Sequence, residues 1–484
     1  MELLNVYPRG LEMIWLLTAL GAILRFYRLP ATLQFLGDQG RDALVLKDMI
    51  VNFDLPFIGP ITSVGGFYLG PLYYWLMAPF LWLGRLNPAA PALATAAIGV
   101  ITIPVLYFVA KKLFSHSAGL WAAGLYAVSA IPVIETRGMW NPNPMPLAAL
   151  GILYGFYLAN YKNKPKGLLL AAISLGAALQ FHYMIVFLAP LILWQVIKAR
   201  KYTRELLMGV GILGLMMLPL VLFEIKNNRL NIKGLLEFFG KRQYTSVNLW
   251  LIVKNTVGRS EQVIGMVLGF GRSFSPLRSW ITRAFLLGLV WLFYKKRQPV
   301  LILTIVWILS SIATLAVYQD NVYPHYLGFL FPVVFMLAGL ILSQLKNWLM
   351  PLAFIFVLLF SVANAPQLKT ALSATGNLKS VQTTARFILD DVNANQYSNY
   401  NLTLIDETRD YRAQAFRYFV EVYGGKPLGE ADYPQTQVLY VVSPYIQTDI
   451  LSRENWEVSS LKPASLVQAW EFTQHENIYK LIRL

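Results

Sequence analysis

The chain has 484 residues, of which 56% are hydrophobic and 14% charged, with no cysteine. Soluble proteins carry about a quarter charged residues, so this composition excludes a water-soluble globular enzyme and describes a polytopic membrane protein, while the missing thiols exclude disulfides, cysteine-held metals and cysteine nucleophiles. The net charge of +16 invites a nucleic-acid reading, but residues 366–484 hold 11 Lys and Arg against 13 Asp and Glu, leaving 30 against 12 for the rest; the excess sits in loops beside hydrocarbon, where cations meet headgroups and orient spans.

A spanning helix needs roughly 20 apolar residues, fewer where flanking side chains snorkel. Leu11 to Phe26 is the first such run, with only Arg9 ahead of it and no small-residue cleavage site, which predicts an uncleaved anchor. Further spans read at Ala89 to Phe108, Ala118 to Ile134, Pro144 to Asn160, Gly167 to Phe181, Ile185 to Ile197, Leu206 to Phe223, Trp280 to Tyr294, Val300 to Tyr318, Tyr326 to Leu342 and Trp348 to Val362, about eleven in all. A twelfth apolar run, Tyr68 to Gly84, contains Pro71 and Pro79. If it does not cross, Lys111, Lys112, Lys162 to Lys166, Lys198 to Lys201 and Lys295 to Arg297 all fall on one side with the amino terminus, as the positive-inside rule requires. The run is therefore read as an interfacial or re-entrant helix.

This arrangement predicts a multi-pass plasma-membrane protein with a cytoplasmic amino terminus. Four features then lie outside: the loop of residues 28–88, the turn Glu135 to Asn143, the loop of residues 224–279 and the carboxy-terminal part. Loops this long are usually functional. The loop of residues 224–279, counted through Arg283, carries ten basic residues, among them Lys241, Arg242, Lys254 and Arg259, against Glu224, Glu237 and Glu261. It suits an anionic ligand. Beyond Pro366 the pattern changes: helical spacing over Thr375 to Asn393, a strand at Leu402 to Ile405, a helix at Tyr411 to Val422 and a buried strand at Val438 to Val442. Residues 1–365 thus read as a membrane domain and 366–484 as a small extracytoplasmic α/β domain.

Outer-face chemistry centres on Leu36-Gly37-Asp38-Gln39-Gly40-Arg41-Asp42. A carboxylate just past the first span, on tight backbone near the membrane boundary where desolvation raises basicity, suits a general base. The competing role for Asp38 and Asp42 is to cap and open an amphipathic helix with Ala43, Leu44, Leu46, Met49 and Ile50 on its apolar face. The glycine-rich, aromatic stretch from Ile58 to Trp75, which includes Tyr68, lacks any Walker lysine or dinucleotide spacing, and its rings suit lipid or a sugar equally. Two of the four histidines occur as His-Tyr at outer span ends, His182-Tyr183 and His325-Tyr326, the second preceded by Tyr323. Each imidazole suits donation to a phosphate oxygen, proton uptake or a bond to a loop carbonyl. Arg137, two residues after Glu135, suits a phosphate clamp or an ion pair with that acid. No HExxH or EF-hand spacing predicts a built-in metal site.

An acidic motif after the first span, a large first outer loop with an interfacial helix, many spans and a trailing outer domain together resemble the GT-C class of integral-membrane glycosyltransferases, within it the protein O-mannosyltransferase and lipid A aminoarabinose transferase group. The likeness covers most of the first 365 residues. That group's Asp-Glu pair with a nearby Arg is matched at Asp38 and Arg41, whereas Gln39 stands in place of the Glu and Gly70-Pro71 in place of a Lys-Pro. The resemblance implies inverting transfer of a sugar from a polyprenyl-phosphate donor to an acceptor hydroxyl of a lipid, glycan or protein. It implies Asp38 as general base and Arg41, Arg137, His182, Arg259 and His325 as ligands of the donor phosphate. Asp42, Tyr68, Tyr183, Lys241, Arg242, Tyr323 and Tyr326 are the candidates for holding the substrates. No cofactor is called for. A transporter or flippase would place ionisable groups at mid-membrane, which these spans almost lack. A metal-dependent oligosaccharide transferase would add a second carboxylate beside Asp38, such as Asp42, Glu135 or Glu224.

Overall fold

The computed structural model describes residues 8–62, 66–240, 249–270, 275–318, 321–408, 410–445, 450, 452–473 and 476–484. Its contacts divide it into two units, one of Met1–Leu29, Leu55–Met77 and Pro91–Ala374, the other of Pro30–Asp54, Ala78–Ala90 and Thr375–Leu484. The division is not the contiguous one expected, because most of the first long loop packs with the carboxy-terminal part.

The described helices are α1 (Pro8–Phe26), α2 (Leu29–Thr32), α3 (Gly37–Val51), α4 (Leu72–Leu83), α5 (Ala89–Leu113), α6 (His116–Val128), α7 (Ala130–Glu135), α8 (Met145–Lys162), α9 (Gly167–Phe181), α10 (Ala189–Lys198), α11 (Thr203–Lys226), α12 (Leu230–Gly240), α13 (Leu249–Val267), α14 (Ser275–Lys296), α15 (Pro299–Val317), α16 (Phe331–Ser343), α17 (Met350–Ser373), α18 (Leu378–Ala394) and α19 (Gln414–Val422). Each expected span overlaps a described helix, although Ile185 to Ile197 is α-helical only from Ala189, after a 3-10 turn. By length and composition four segments among the described residues suffice to cross a membrane: Ala89–Leu113, Thr203–Lys226, Pro299–Val317 and Asn347–Ala394, the last including α17. Helix α11 wears its apolar residues outward, with Leu207, Leu215 and Ile225 at least two-thirds exposed. A face of that size would be insoluble in water and suits lipid. Helix α4, at 12 residues, is about 18 Å long against a hydrocarbon core of about 30 Å. It is shorter than the run of Tyr68 to Gly84, starting directly after Pro71 and continuing through Pro79.

Within the first unit close approach is bought with small residues. A Cβ on Gly155 would lie 2.6 Å from Gly167 O, and one on Gly167 2.5 Å from Gly155 O. Helices α8 and α9 therefore meet backbone to backbone, as small residues allow between apolar helices. The span expected at Ala118 to Ile134 is broken at Ser129 into α6 and α7. Asn364 of α17 satisfies the break: its Oδ1 accepts the Ala130 N–H at 2.7 Å, and its Nδ2 donates to Leu268 O at 3.1 Å and Phe360 O at 2.8 Å. The region expected as an outer loop of residues 224–279 is largely helical, with α13 burying Val263, Ile264 and Val267. That spacing of three and four is a helix face.

The second unit carries a sheet of β1 (Tyr400–Leu404), β2 (Val438–Ser443), β3 (Ala464–Thr473) and β4 (Glu476–Arg483) in the order β1-β2-β4-β3. β1 and β2 are parallel with Leu402 opposite Tyr440, and the other pairs are antiparallel. Every residue of β2 is buried, as a central strand covered on both faces requires. Helix α18 turns Leu378, Val381, Ala385, Ile388 and Leu389 inward, the residues its spacing predicts. The strands and helices expected after Pro366 are all present, although α17 continues through that proline to Ser373.

Candidate active site

The predicted site residues fall into two sets, one in each unit. In the second unit the chain entering α3 is clamped. Phe35 N–H donates to Asn377 Oδ1 at 2.6 Å, Asn377 Nδ2 donates to Phe35 O at 3.1 Å, and the Phe35 ring stands edge-on to Tyr418 and Phe419 at 5.6 Å each. Leu36 is the N-cap of α3, and its N–H is accepted by Gln39 Oε1 at 3.1 Å. Gln39 thus does the work of a capping-box acid, since an amide oxygen accepts as a carboxylate does. The cap role considered for Asp38 belongs to Gln39. Gly40 is required where α3 crosses α19, because a Cβ there would lie 2.4 Å from Ala415 N.

Arg41 joins two acids of unlike surroundings. Its Nη1 donates to Asp38 Oδ1 at 2.9 Å, and its Nε and Nη2 donate to Asp42 Oδ1 at 3.0 and 2.9 Å. The Asp38 side chain is 49% exposed and that of Asp42 fully buried. The desolvation expected at Asp38 falls instead on Asp42 and on a residue outside the predicted set, Asp410. Burial pushes the Asp410 carboxyl up to about 7, reinforced by Asp406, Asp38 and Glu430 and opposed by the Gln414 N–H it accepts at 3.0 Å. Asp410 lies against the start of α3: a Cβ on Gly37 would come 2.6 Å from its Oδ2. A carboxyl titrating there exchanges protons near neutrality. The sequence signal was available, since Asp406 to Asp410 follow the carboxyl end of a parallel strand, where α/β sheets gather their sites.

This shift has a consequence for stability. A folded value near 7 above the ordinary carboxyl value means the folded state binds the extra proton, so stability falls as pH rises from about 4 to about 7. Asp410→Asn, which keeps an oxygen for the Gln414 N–H, is expected to flatten this dependence and raise the unfolding temperature at pH 8 by a few degrees. Thermal unfolding of the purified protein at pH 5 and pH 8 checks it; a wild-type midpoint that rises across the window sinks the assignment.

In the first unit the two His-Tyr pairs come together across more than 140 residues of chain. The rings of His182 and His325 are 6.1 Å apart, and Tyr326 packs on both, at 5.0 Å from His182 and 4.6 Å from His325. Tyr183 stacks on His182 at 4.8 Å, Tyr323 on His325 at 5.7 Å, and Trp140 lies 4.2 Å from His325. Burial pulls His182 down to about 3, with help from His325, and His325 down to about 4. Both are neutral at physiological pH. His182 Nδ1 accepts the Met184 N–H at 3.3 Å, which leaves the ring proton on Nε2. His182 is therefore a donor rather than a proton acceptor.

Arg137 is placed otherwise than the clamp reading expects. Its Nη1 donates to Leu24 O at 2.9 Å and Arg25 O at 3.0 Å, and its Nη2 to Tyr27 O at 3.0 Å. It closes the carboxyl end of α1, where carbonyls lack helical partners and a cation is favoured. Glu135 is not its partner in these bonds; burial pushes that carboxyl up to about 7. Arg259, on α13, donates from Nη2 to Tyr318 O at 2.7 Å and from Nη1 to Gln262 Oε1 at 2.8 Å. Tyr68 is docked by a two-way bridge to Asn231, its N–H donating to Oδ1 at 2.8 Å and its carbonyl accepting from Nδ2 at 3.0 Å. Lys241 and Arg242 lie outside the described residues.

The first unit is helical, and residues 30–54 of the first long loop, which carry the Asp-x-x-Arg-Asp motif, group with the α/β unit; this fold is similar to that of solved membrane enzymes. The model of the dolichyl-phosphate-mannose-protein mannosyltransferase family matches residues 69–223, a stretch that begins downstream of Asp38. Among solved structures the chain is similar to ArnT from Cupriavidus metallidurans in the apo state, at 13% identity, 98% of each chain covered and a TM-score of 0.66. It is similar to the same protein bound to undecaprenyl phosphate at 14% identity, 96% of this chain and 97% of that chain covered and a TM-score of 0.63. The Archaeoglobus fulgidus oligosaccharyltransferase AglB in complex with an inhibitory peptide and a dolichol-phosphate matches at 11% identity, 90% of this chain and 69% of that chain covered and a TM-score of 0.53. No curated protein matches the chain in sequence.

Proposed function

We propose that the protein is a glycosyltransferase that moves a sugar from a polyprenyl-phosphate donor to an acceptor hydroxyl at the outer face of the plasma membrane, with inversion and with Asp38 as general base. The observation that carries this is the likeness over almost the whole chain to ArnT, one structure of which holds undecaprenyl phosphate. The family match to a dolichyl-phosphate-mannose-dependent transferase supports the same donor class.

The chemistry asks little of the protein beyond placement. Asp38 takes the acceptor's hydroxyl proton as its oxygen attacks the anomeric carbon, the glycosidic oxygen leaves with the lipid phosphate, and no general acid is needed because a phosphate is a stable anion. Arg41, bonded to Asp38 and Asp42, holds the base carboxylate in one orientation. Developing charge on the phosphate is met by preorganised donors, the term that dominates such catalysis. Arg259, Lys241 and Arg242 are the cations assigned to it, with the neutral His182 as a further N–H donor. Arg137 is committed to α1 and drops from this group. The amino terminus is assigned to the cytoplasm and the α/β unit to the outside.

The test is product analysis after full-length protein in liposomes receives defined polyprenyl-phosphate sugars and an outer-membrane or cell-wall acceptor extract. Release of free polyprenyl phosphate with a glycosylated product of inverted anomeric configuration is expected, and its persistence in EDTA separates this enzyme from a metal-dependent oligosaccharide transferase. Donor left intact under all conditions would overturn the proposal.

A further inference from the structure

Within the second unit a cleft of about 500 Å³ lies at the carboxyl ends of α3 and α19, lined by Lys47, Val51 and Asn52 on one side, Glu421, Val422 and residues 424–427 on the other, and Leu86 between. It is no part of the Asp38 site. Lys47 follows Asp38 on α3 by nine residues, which is about 14 Å along the helix and about two and a half turns round it, hence on its opposite side.

The walls are held in place by local bonds. Helix α19 ends with Gly424 N–H donating to Glu421 O at 3.1 Å and Gly425 N–H to Val420 O at 2.9 Å. That ending needs a left-handed residue, and Gly424 has φ of 95°. A Cβ on it would meet nothing within 4 Å, so nothing covers this part of the cleft wall. Leu86 is held by Tyr418 Oη, which donates to its carbonyl at 2.6 Å. Lys47 donates to the Glu421 carboxylate and, at 3.2 Å, to Asp48 Oδ1. An ammonium has three donors, so one is left for a ligand.

The charges restrict what the cleft can take. Lys47 and Lys426 oppose a cation. Glu421 and the carboxyl ends of two helices, whose carbonyls favour positive charge, oppose an anion. Neither sign is favoured, yet donors and acceptors are both at hand: the lysines donate, Glu421 accepts, and the Asn52 amide does both. Such a mixture suits hydroxyls, which also do both. Val51, Leu86, Val422 and Pro427 add apolar wall for C–H faces. A sugar has this pattern, hydroxyls at its rim and C–H on its faces, and the volume falls within the roughly 300–1,000 Å³ of small-molecule sites.

We propose that this cleft is a second saccharide-binding site, which holds an uncharged sugar of the acceptor glycan away from the transfer centre. Naming the acceptor as its source rests on the glycosyltransferase reading. A sugar seated here cannot present its hydroxyl to Asp38 across α3, so it tethers the glycan and raises its effective concentration at the transfer centre. The acceptor is then a chain of several sugars rather than a bare lipid hydroxyl.

The experiment places full-length protein in nanodiscs, without donor, on an array of defined neutral, acidic and amino-sugar oligosaccharides. The best-retained oligosaccharide is then measured free in solution by ligand-observed NMR, beside inorganic phosphate and ethanolamine. Neutral oligosaccharides are expected to bind about tenfold more tightly than acidic or amino ones. Val51→Trp, at a position 55% exposed, puts a ring into the cleft and is expected to abolish binding. Asn52→Ala and Lys426→Ala, also at exposed positions, are expected to weaken it about tenfold each. With the retained glycan as acceptor, Val51→Trp is expected to raise KM about tenfold. Absence of saccharide binding, phosphate or ethanolamine bound in its place, or unchanged binding in Val51→Trp overturns the site and leaves glycosyl transfer standing, since no donor enters that measurement. An unchanged KM overturns the tether. Saccharide binding by a protein that consumes no polyprenyl-phosphate sugar overturns the transferase reading, and with it the acceptor as source.

Discussion

Replacing Asp38 by Asn is expected to lower kcat for sugar transfer by about 10³-fold while the protein folds and binds its lipid donor as before. The carboxylate is half-exposed and accepts a bond from Arg41 at 2.9 Å, a surface ion pair of a kind that contributes no more than about 1 kcal/mol to stability. Asparagine preserves shape and an oxygen for the guanidinium, so what it removes is proton affinity. Single-turnover consumption of a labelled donor, beside equilibrium binding of the same donor, separates the two. A kcat within tenfold of wild type would transfer the role to Asp410, the other carboxyl at the start of α3 and the one whose burial brings it near neutrality. Asp410→Asn in that case would carry the loss. The two variants together therefore decide which acid moves the proton.

What was legible in the residues follows from which forces act locally. Apolar runs announce α1, α5, α8, α9, α11 and α15 because lipid and helix impose the same demand over the same twenty residues. Helix α13 was hidden by Lys254, Asn255, Arg259 and Glu261, which made a half-buried helix resemble a solvated loop; its apolar face at Val263, Ile264 and Val267 was the surviving sign. β3 and β4 escaped because Glu471, Lys480 and Arg483 dilute the alternation, and their pairing registers depend on partners elsewhere in the chain. At the site, Asp38 and Arg41 could be singled out as a motif, and the two His-Tyr pairs as matching placements. That the pairs would pack against one another could not, since nothing within either segment encodes a neighbour more than 140 residues away. Asp410 was signalled only by its place after a parallel strand; its approach to Gly37 at the start of α3 is a contact with a segment more than 370 residues away, which nothing near it in sequence encodes.

Arg137 shows how a charge near a membrane face misleads when only its type is known. As a phosphate clamp its loss would weaken donor binding; as the closure of α1 its loss would leave the carbonyls of Leu24, Arg25 and Tyr27 without their charged donor. Hydrogen bonds to a charged group contribute roughly 1.5–3 kcal/mol each, and buried acceptors left without partners add to the cost. Arg137 is 7% exposed, so water gains little access to replace it. Arg137→Ala is accordingly expected to destabilise the protein by about 3 kcal/mol or more, seen as a lower unfolding temperature in detergent and a reduced yield of monodisperse protein. The fraction that folds is expected to bind donor with unchanged affinity. Arg137→Lys keeps the charge but not the planar fork that reaches three carbonyls at once, so it should recover only part of the stability. Normal stability with a tenfold loss of donor affinity would reverse the assignment, returning Arg137 to the phosphate and leaving the end of α1 to be held by other means.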